Sequence, residues 1–330
     1  MKKVLSLVLV GVCLLLMTSS SRQVTIFVIG DSTAAEKSHP STNPERGWAM
    51  VLQGCFDESI LVDNHAVNGR SSKSFRDEGR WQKVLERIRP GDYVIIQFGH
   101  NDEKPDPKRH TDVGSTFDDN LVRYVEETRS KGGIPILMNA VARRLWYVET
   151  MKNDDDEKLR GTTFTGEEII NSDTLVDTHG AYAVVPRLIA QKLDVAFVDA
   201  NKVTHDIETR MGAVDSRRLH MWFKPGEVAS IPKGRQDNTH YNALGAHVVA
   251  NALADALAEQ VPALRKHVRH YDYVVSSEGR GNYMTLQSAV DAVPDGSKAT
   301  VLVLGGQWHK PLVAKGKKIK YVKYFGATIK

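Results

Sequence analysis

An α/β fold built on a parallel sheet is what this sequence predicts. Three observations carry the prediction: five short apolar runs, helix-like stretches between them, and turns rich in Gly, Asn and Ser directly behind several of the runs. Val24–Ile29 is the first run and ends in Gly30; residues 59–62, residues 93–98, Ile134–Met138 and residues 195–198 repeat its character. Each is short enough to be a strand buried on both faces. Residues 47–56, 81–89, 116–131 and 182–192 read as helices in the intervals, so strand and helix alternate around a parallel sheet. Residues 201–241 read as a long irregular stretch dominated by charge, Gly and Pro, and residues 243–259 as an Ala-, Leu- and Val-rich helix with one apolar side. In an open parallel sheet, reacting groups gather outside the carboxyl ends of the strands. Residues 30–33, 64–71, 99–102 and 139–144 all follow strands directly.

Beyond about residue 265 the pattern changes to short elements: a strand at Tyr273–Val275, a turn at 277–282, a helix at Leu286–Ala292, a turn at 294–296 and a strand at 300–304. Such a piece is too small to close a large second core. It is also basic, with eleven Lys or Arg against four Asp or Glu in residues 266–330. The expected organisation is a leader at 1–21, an α/β domain at 22–262, a linker at 263–272 and a small segment at 273–330. The leader is read from Lys2 and Lys3, the apolar run 4–17 and the polar residues Thr18 to Ser21, the order of a secretory signal peptide. The run is short for a membrane span, which needs about 20 residues. Val12 is too bulky a neighbour for Cys13 to suggest a lipid anchor. The expected location is therefore secreted or periplasmic, and Cys55 is left as the single cysteine of the exported chain, which excludes an internal disulfide.

With 330 residues, 25% of them charged and 41% apolar, the chain has the composition of a globular protein and not of a disordered, collagenous or disulfide-stapled one. A formal charge of +4, two units of it in the leader, gives nucleic-acid binding little support. No Gly-rich phosphate loop follows the first strand, so no nucleotide cofactor is expected. His65, His100, His179, His205 and His220 lack ligand spacing, so no metal is expected either.

Ser32, in Gly30-Asp31-Ser32-Thr33, stands at the end of the first strand, where it is either a helix cap or a nucleophile. A hydroxyl becomes nucleophilic when an imidazole takes its proton and a carboxylate fixes that imidazole's tautomer. Asp237 and His240, three residues apart, supply both groups, although a capping turn explains such a pair equally well. Attack on an ester also needs donors for the developing oxyanion. The Ser32 N–H, the Gly69 N–H and the Asn101 amide are candidates; each by itself equally suits a turn. Together they make a complete site for acyl transfer.

In these blocks, Gly30-Asp31-Ser32, Gly69, Gly99-His100-Asn101-Asp102 and Asp237-Asn238-Thr239-His240, the sequence resembles the SGNH (GDSL-like) hydrolases over residues 24–260. Asn68-Gly69-Arg70-Ser71-Ser72 and Asp177-Thr178-His179-Gly180 resemble the rhamnogalacturonan acetylesterase branch. The resemblance implies a flavodoxin-like three-layer sandwich with a parallel sheet, Ser32 as nucleophile, His240 as base, Asp237 as its orienter, and Ser32 N–H, Gly69 N–H and Asn101 as oxyanion donors. It also implies removal of acetyl groups from pectic polysaccharide. An acetylesterase for xylan or another glycan, a small lipase, and a glycan-binding protein with an inactive site are the alternatives. An acidic stretch, residues 152–158, departs from the family and bears on glycan preference. Residues 274–304 resemble the opening of a pectin methylesterase, which implies a short β-helix-like fragment lacking that family's catalytic residues.

Arg46, Arg70, Arg80 and Arg143 are expected at the rim of the site, where they either match uronate carboxylates or form ordinary surface pairs, with Asp77 or Glu78 as partners. Trp48 and Trp81 are expected in the core, and Trp146 and Trp222 as platforms for sugar rings.

Overall fold

The structure is a computed structural model that describes residues 22–148, 164–314 and 316–330. The expected leader and the acidic stretch 152–158 lie outside the described residues. Five strands, β1 (Val24–Ile29), β2 (Ile60–Asn64), β3 (Tyr93–Gln97), β4 (Ile134–Met138) and β5 (Ala196–Val198), form one sheet in the order β2-β1-β3-β4-β5. Every pairing is parallel, with Ile26 opposite Tyr93 and Val94 opposite Pro135. The chain order reverses between β1 and β3, and the loops leaving the carboxyl ends of those two strands border the crevice that a switch point creates.

Successive side chains of a strand point to opposite faces, so a strand that is apolar throughout must be covered on both. Ile26 and Val28 of β1 join Ile95, Ile136 and Met138 in one core, against α1 (Trp48–Val51), α6 (Ala200–Asp215) and α7 (Ala243–Gln260). Phe27 and Ile29 join Val94, Ile96 and Leu137 in the other. That second core packs on α2 (Ser72–Asp77), α3 (Arg80–Leu85), α4 (Thr116–Ser130) and α5 (Ala181–Leu193). The result is the expected three-layer sandwich. Helix α4 buries Phe117, Leu121, Tyr124, Val125 and Thr128, the inner face of a 3.6-residue repeat. Trp48 and Trp81 lie in the core, as expected, and the Cys55 thiol is free and buried.

Two helices longer than a single turn lie outside the sequence expectation. Residues 201–241 are not irregular throughout, because α6 occupies Ala200–Asp215, with Asp199 capping it through Lys202 N–H at 3.0 Å and a non-helical break at Gly212. Its inner face is short and partly polar, Thr204, Ile207 and Glu208, which is why no apolar period announces it. Helix α2 is only six residues long and starts in a capping box, Ser71 and Ser74 bonding each other's N–H groups at 2.9 and 3.1 Å.

Behind α7 comes a single helical turn, α8 (Pro262–Arg265). Then β6 (Tyr273–Val275), α9 (Leu286–Ala292), β7 (Lys298–Leu304), β8 (Gln307–Trp308), β9 (Lys318–Tyr324) and β10 (Thr328–Ile329) follow. The strands β6-β7-β9 form a parallel three-stranded sheet, and β10 pairs with β8. One face of the larger sheet encloses a small core of Val275, Val301 and Val303 with Leu286 and Ala289. The other turns Val274 onto Gly54, and an antiparallel bridge joins Val268 to Phe56. The end strand β9 carries Lys318, Lys320 and Lys323, charges of the kind that blunt a free sheet edge. Among the described residues, no helix is long and apolar enough to cross a membrane.

Candidate active site

The corner behind β1 is shaped by two constraints. A side chain on Gly30 would meet the Gln97 carbonyl at 2.8 Å, so the backbones of β1 and β3 approach too closely there for anything but glycine. The Asp31 carboxylate, fully buried, accepts from Thr33 N–H at 2.9 Å and from the Thr33 hydroxyl at 2.8 Å, folding the next turn. Burial pushes the Asp31 carboxyl above its ordinary range, against the pull of the Thr33 donors. The turn leaves Ser32 half-buried beside the imidazole of His240, with 2.9 Å between Ser32 Oγ and Nε2.

On its other side, the His240 ring has Nδ1 at 3.1 and 3.2 Å from the two Asp237 oxygens. Those oxygens can only accept, so Nδ1 carries the hydrogen and Nε2 is left to accept the Ser32 proton. Asp237 is fully buried and also receives the N–H groups of Thr239 and His240 at 2.9 and 3.0 Å. Arg235 Nη2 donates to its Oδ2 at 2.5 Å.

Gly69 has φ +75°, the left-handed region that glycine enters without steric cost. Arg70 Nη1 donates to the Asn68 carbonyl at 2.8 Å. A trans peptide is planar, so fixing that carbonyl aims the Gly69 N–H the opposite way. Asn101, nearly buried, donates from Nδ2 to the Arg70 carbonyl at 3.1 Å and accepts from Arg109 Nη1 at 3.3 Å, keeping one amide hydrogen for another acceptor. The Ser32 and Gly69 N–H groups make no hydrogen bond among the described residues. Ser32, His240 and Asp237 are thus joined by hydrogen bonds in that order, Asn101 is bonded to the carbonyl of Arg70 beside Gly69, and Lys37 Nζ joins the two groups by donating to the Ser32 carbonyl and to Asn68 Oδ1.

Several groups that were not expected to hold this cluster do so. Asp102 receives Gly99 N–H at 3.1 Å, Ser72 N–H at 3.0 Å, the Ser72 hydroxyl at 2.5 Å and the Thr111 hydroxyl at 2.9 Å, tying the Asn101 turn to the start of α2. Burial pushes its carboxyl up to about 7 in spite of those donors. Arg144, wholly buried, donates to Asn238 Oδ1 at 2.9 Å and pairs with Glu168, and Trp222 Nε1 donates to the same Asn238 oxygen at 2.8 Å. Asn238 lies between Asp237 and Thr239, so these two side chains brace the imidazole loop. Lys37, Glu45 and Arg235 add a chain of ion pairs beneath the site. Burial would raise the Glu45 carboxyl, but the neighbouring His240, Lys37 and Arg235 hold it at about 2.

Other expectations need correction. Trp146 is no platform, because it is buried with Ala142 and Leu175. Trp222 is half-buried, with the guanidiniums of Arg144 and Arg217 over its ring at 5.4 and 4.9 Å. Arg46 is turned inward, donating to the carbonyls of Gly279 at 3.1 Å and Pro40 at 2.7 Å. Arg143 is buried against Glu103 at 2.6 Å and donates to Thr178 Oγ1 at 3.0 Å, while His179 Nδ1 lies 3.0 Å from Glu103 Oε2. Arg70 and Arg80 both pair with Glu78, one of the two partners considered for them. Among the described residues, no group of three or more His, Cys, Asp or Glu side chains is placed to hold a metal ion. A groove of about 680 Å³ opens at Gly69 and runs past Arg70, Lys73, Lys108 and Arg109, with Asp77, Glu78 and Asp106 also on its walls.

Residues 28–248 match the model of the GDSL-like Lipase/Acylhydrolase family. The chain is 34% identical to rhamnogalacturonan acetylesterase RhgT of Bacillus subtilis, over 78% of this chain and 97% of that protein. It is 29% identical to the rhamnogalacturonan acetylesterase of Emericella nidulans, over 76% of this chain and 91% of that one. Among solved structures, protein YxiM of Bacillus subtilis superposes with a TM-score of 0.55 at 23% identity, covering 72% of this chain and 57% of that chain, a likeness of fold.

Proposed function

Since the chain belongs to the GDSL-like Lipase/Acylhydrolase family, we propose that it is a serine esterase that removes acetyl groups from a pectic polysaccharide. The observation that carries the reading is Ser32 Oγ at 2.9 Å from an imidazole whose other nitrogen rests on a buried carboxylate. In this reading His240 Nε2 takes the Ser32 proton as Oγ bonds to the acetyl carbon. The carbonyl electrons move onto oxygen, where the Ser32 N–H, the Gly69 N–H and Asn101 receive them. As the C–O bond to the sugar breaks, the imidazolium returns its proton to the leaving hydroxyl. Water, deprotonated by the same imidazole, then attacks the acetyl-serine and acetate departs with Ser32 restored.

The glycan class is supported by the rhamnogalacturonan acetylesterases that the chain resembles and by the groove at Gly69. Its four cations outnumber its three carboxylates, although Arg70 and Arg109 already pair with Glu78 and Asp106, and that excess of positive charge suits the carboxylates of a uronate chain. A secreted or periplasmic location is part of the proposal, supported by the basic and then apolar order of residues 1–21. So is the division at 263–272, with residues 273–330 as an accessory piece; the Arg46 to Gly279 bond ties that piece to the loop carrying Glu45.

The test is acetate release from acetylated rhamnogalacturonan, acetylated xylan and long-chain p-nitrophenyl esters. Rhamnogalacturonan is expected to be the best substrate; faster release from xylan or the long esters moves the assignment to those classes. Because the mechanism needs His240 neutral, kcat/KM is expected to fall on acidification from about pH 8 to about pH 5. A rate constant across that span contradicts the imidazole's role.

A further inference from the structure

Beneath the reacting groups four buried or largely buried charges alternate in sign. Asp237 meets Arg235 Nη2 at 2.5 Å, Arg235 Nη1 meets Glu45 Oε2 at 3.0 Å, and Glu45 Oε1 meets Lys37 Nζ at 2.8 Å. The last cation closes the path. Lys37 Nζ donates to the Ser32 carbonyl at 2.6 Å and to Asn68 Oδ1 at 2.7 Å. The side chain of Lys37 is 3% exposed, that of Glu45 12% and that of Arg235 19%, so these pairs are shielded from the water that weakens surface ion pairs. Burying charge is costly unless each charge is paired and hydrogen-bonded, which is the arrangement found here. A core of apolar side chains would fill the space with less desolvation, so the chain's ends are what distinguish it. One end is the carboxylate under the imidazole, and the other is the nucleophile's carbonyl together with the residue before Gly69.

We propose that Lys37, Glu45 and Arg235 are positioning residues whose ion-pair chain locks the Asp237–His240 side of the site to the Ser32 and Asn68–Gly69 turns. The inference rests on the esterase reading above. By bridging Ser32 and Asn68, the lysine holds the two turns whose N–H groups receive the oxyanion. By clamping Arg235, the glutamate holds Asp237 and through it the imidazole plane. The charge of Glu45 also reaches His240. Asp237 touches that imidazole, the carboxylates of Glu45 and Asp31 and the imidazole of His100 interact with it through charge, and the cations Lys37 and Arg235 stand behind Glu45 and Asp237.

Glu45→Gln keeps the shape and removes one negative charge, and Lys37→Met keeps the length and removes one positive charge. Both are expected to lower kcat for p-nitrophenyl acetate by about 10- to 100-fold, the cost of a small misplacement of reacting groups, with KM little changed. The acid limb of kcat/KM is expected to move in opposite directions. It shifts to lower pH in Glu45→Gln, where the imidazolium loses a favourable charge, and to higher pH in Lys37→Met, where the charge of Glu45 is no longer offset by the ammonium it pairs with. Glu45→Asp is expected to recover part of kcat and the original limb. Circular dichroism identifies any variant that fails to fold, and the sign of the shift in the remaining one then decides. A lowered melting temperature with kcat and both limbs unmoved would make the chain structural only and overturn the proposal. A wild-type protein without Ser32-dependent turnover defeats the esterase reading, and the chain's role with it. An active wild type beside unaltered variants defeats the chain alone.

Discussion

Ser32→Ala is expected to retain the fold and lose about 10⁴-fold or more in kcat on acetylated pectin, measured as acetate release beside a thermal melt. The hydroxyl is half-buried at the end of a turn already fixed by Asp31 and Thr33, so its loss opens no large cavity. The melt should therefore barely move. What survives in the variant is the rest of the site: the two unspent N–H groups, Asn101 and an imidazole still oriented by Asp237. Such remnants support only weak catalysis by bound water. Unchanged acetate release would remove Ser32 from the chemistry.

Asn101→Ala is expected to lower kcat by about a hundredfold, roughly 3 kcal/mol of transition-state stabilisation, with KM nearly unchanged. The effect has two sources that point the same way. One donor to the oxyanion disappears, and the Arg70 carbonyl loses the 3.1 Å bond that holds its turn beside Gly69. The second source also costs about 1 kcal/mol of stability, which a melt separates from the kinetic loss. A variant with near-normal kcat and only the stability change would reduce Asn101 to a brace for the turn.

Much of this architecture was legible because β-rich apolar runs of five or six residues have few other uses. β1, β3, β4 and β5 fall within one residue of the expected runs, and the loops behind β1 and β3 carry Ser32 and Asn101 as the switch-point rule requires. Where burial is polar, the sequence was silent. Helix α6 turns Thr204 and Glu208 inward, so its period resembles that of a loop. Trp146 sits in an irregular stretch but packs against Ala142 and Leu175, a contact that only the folded chain creates.

The site divides along the same line. Ser32, Asp237 and His240 were legible only as a set with Gly69 and Asn101, since a cap or a turn explains each of them alone equally well. Lys37, Glu45 and Arg235 were not, since each looks like a surface charge in sequence and becomes distinctive only when the 2.5, 3.0 and 2.8 Å contacts bury them together. Arg46, by contrast, was expected at the rim, as a match for uronate carboxylates or as an ordinary surface charge, and instead clasps the Gly279 carbonyl. No spacing rule separates those outcomes, because both depend on which segment happens to fold against the arginine.

The most direct measurement is covalent labelling by a fluorophosphonate followed by peptide mapping, performed on the wild type and on Ser32→Ala. One adduct on Ser32, formed with a rate that falls on acidification and absent from the variant, is the result expected of a hydroxyl activated by His240. Failure of the wild type to react, or an equal adduct in both proteins, contradicts the account.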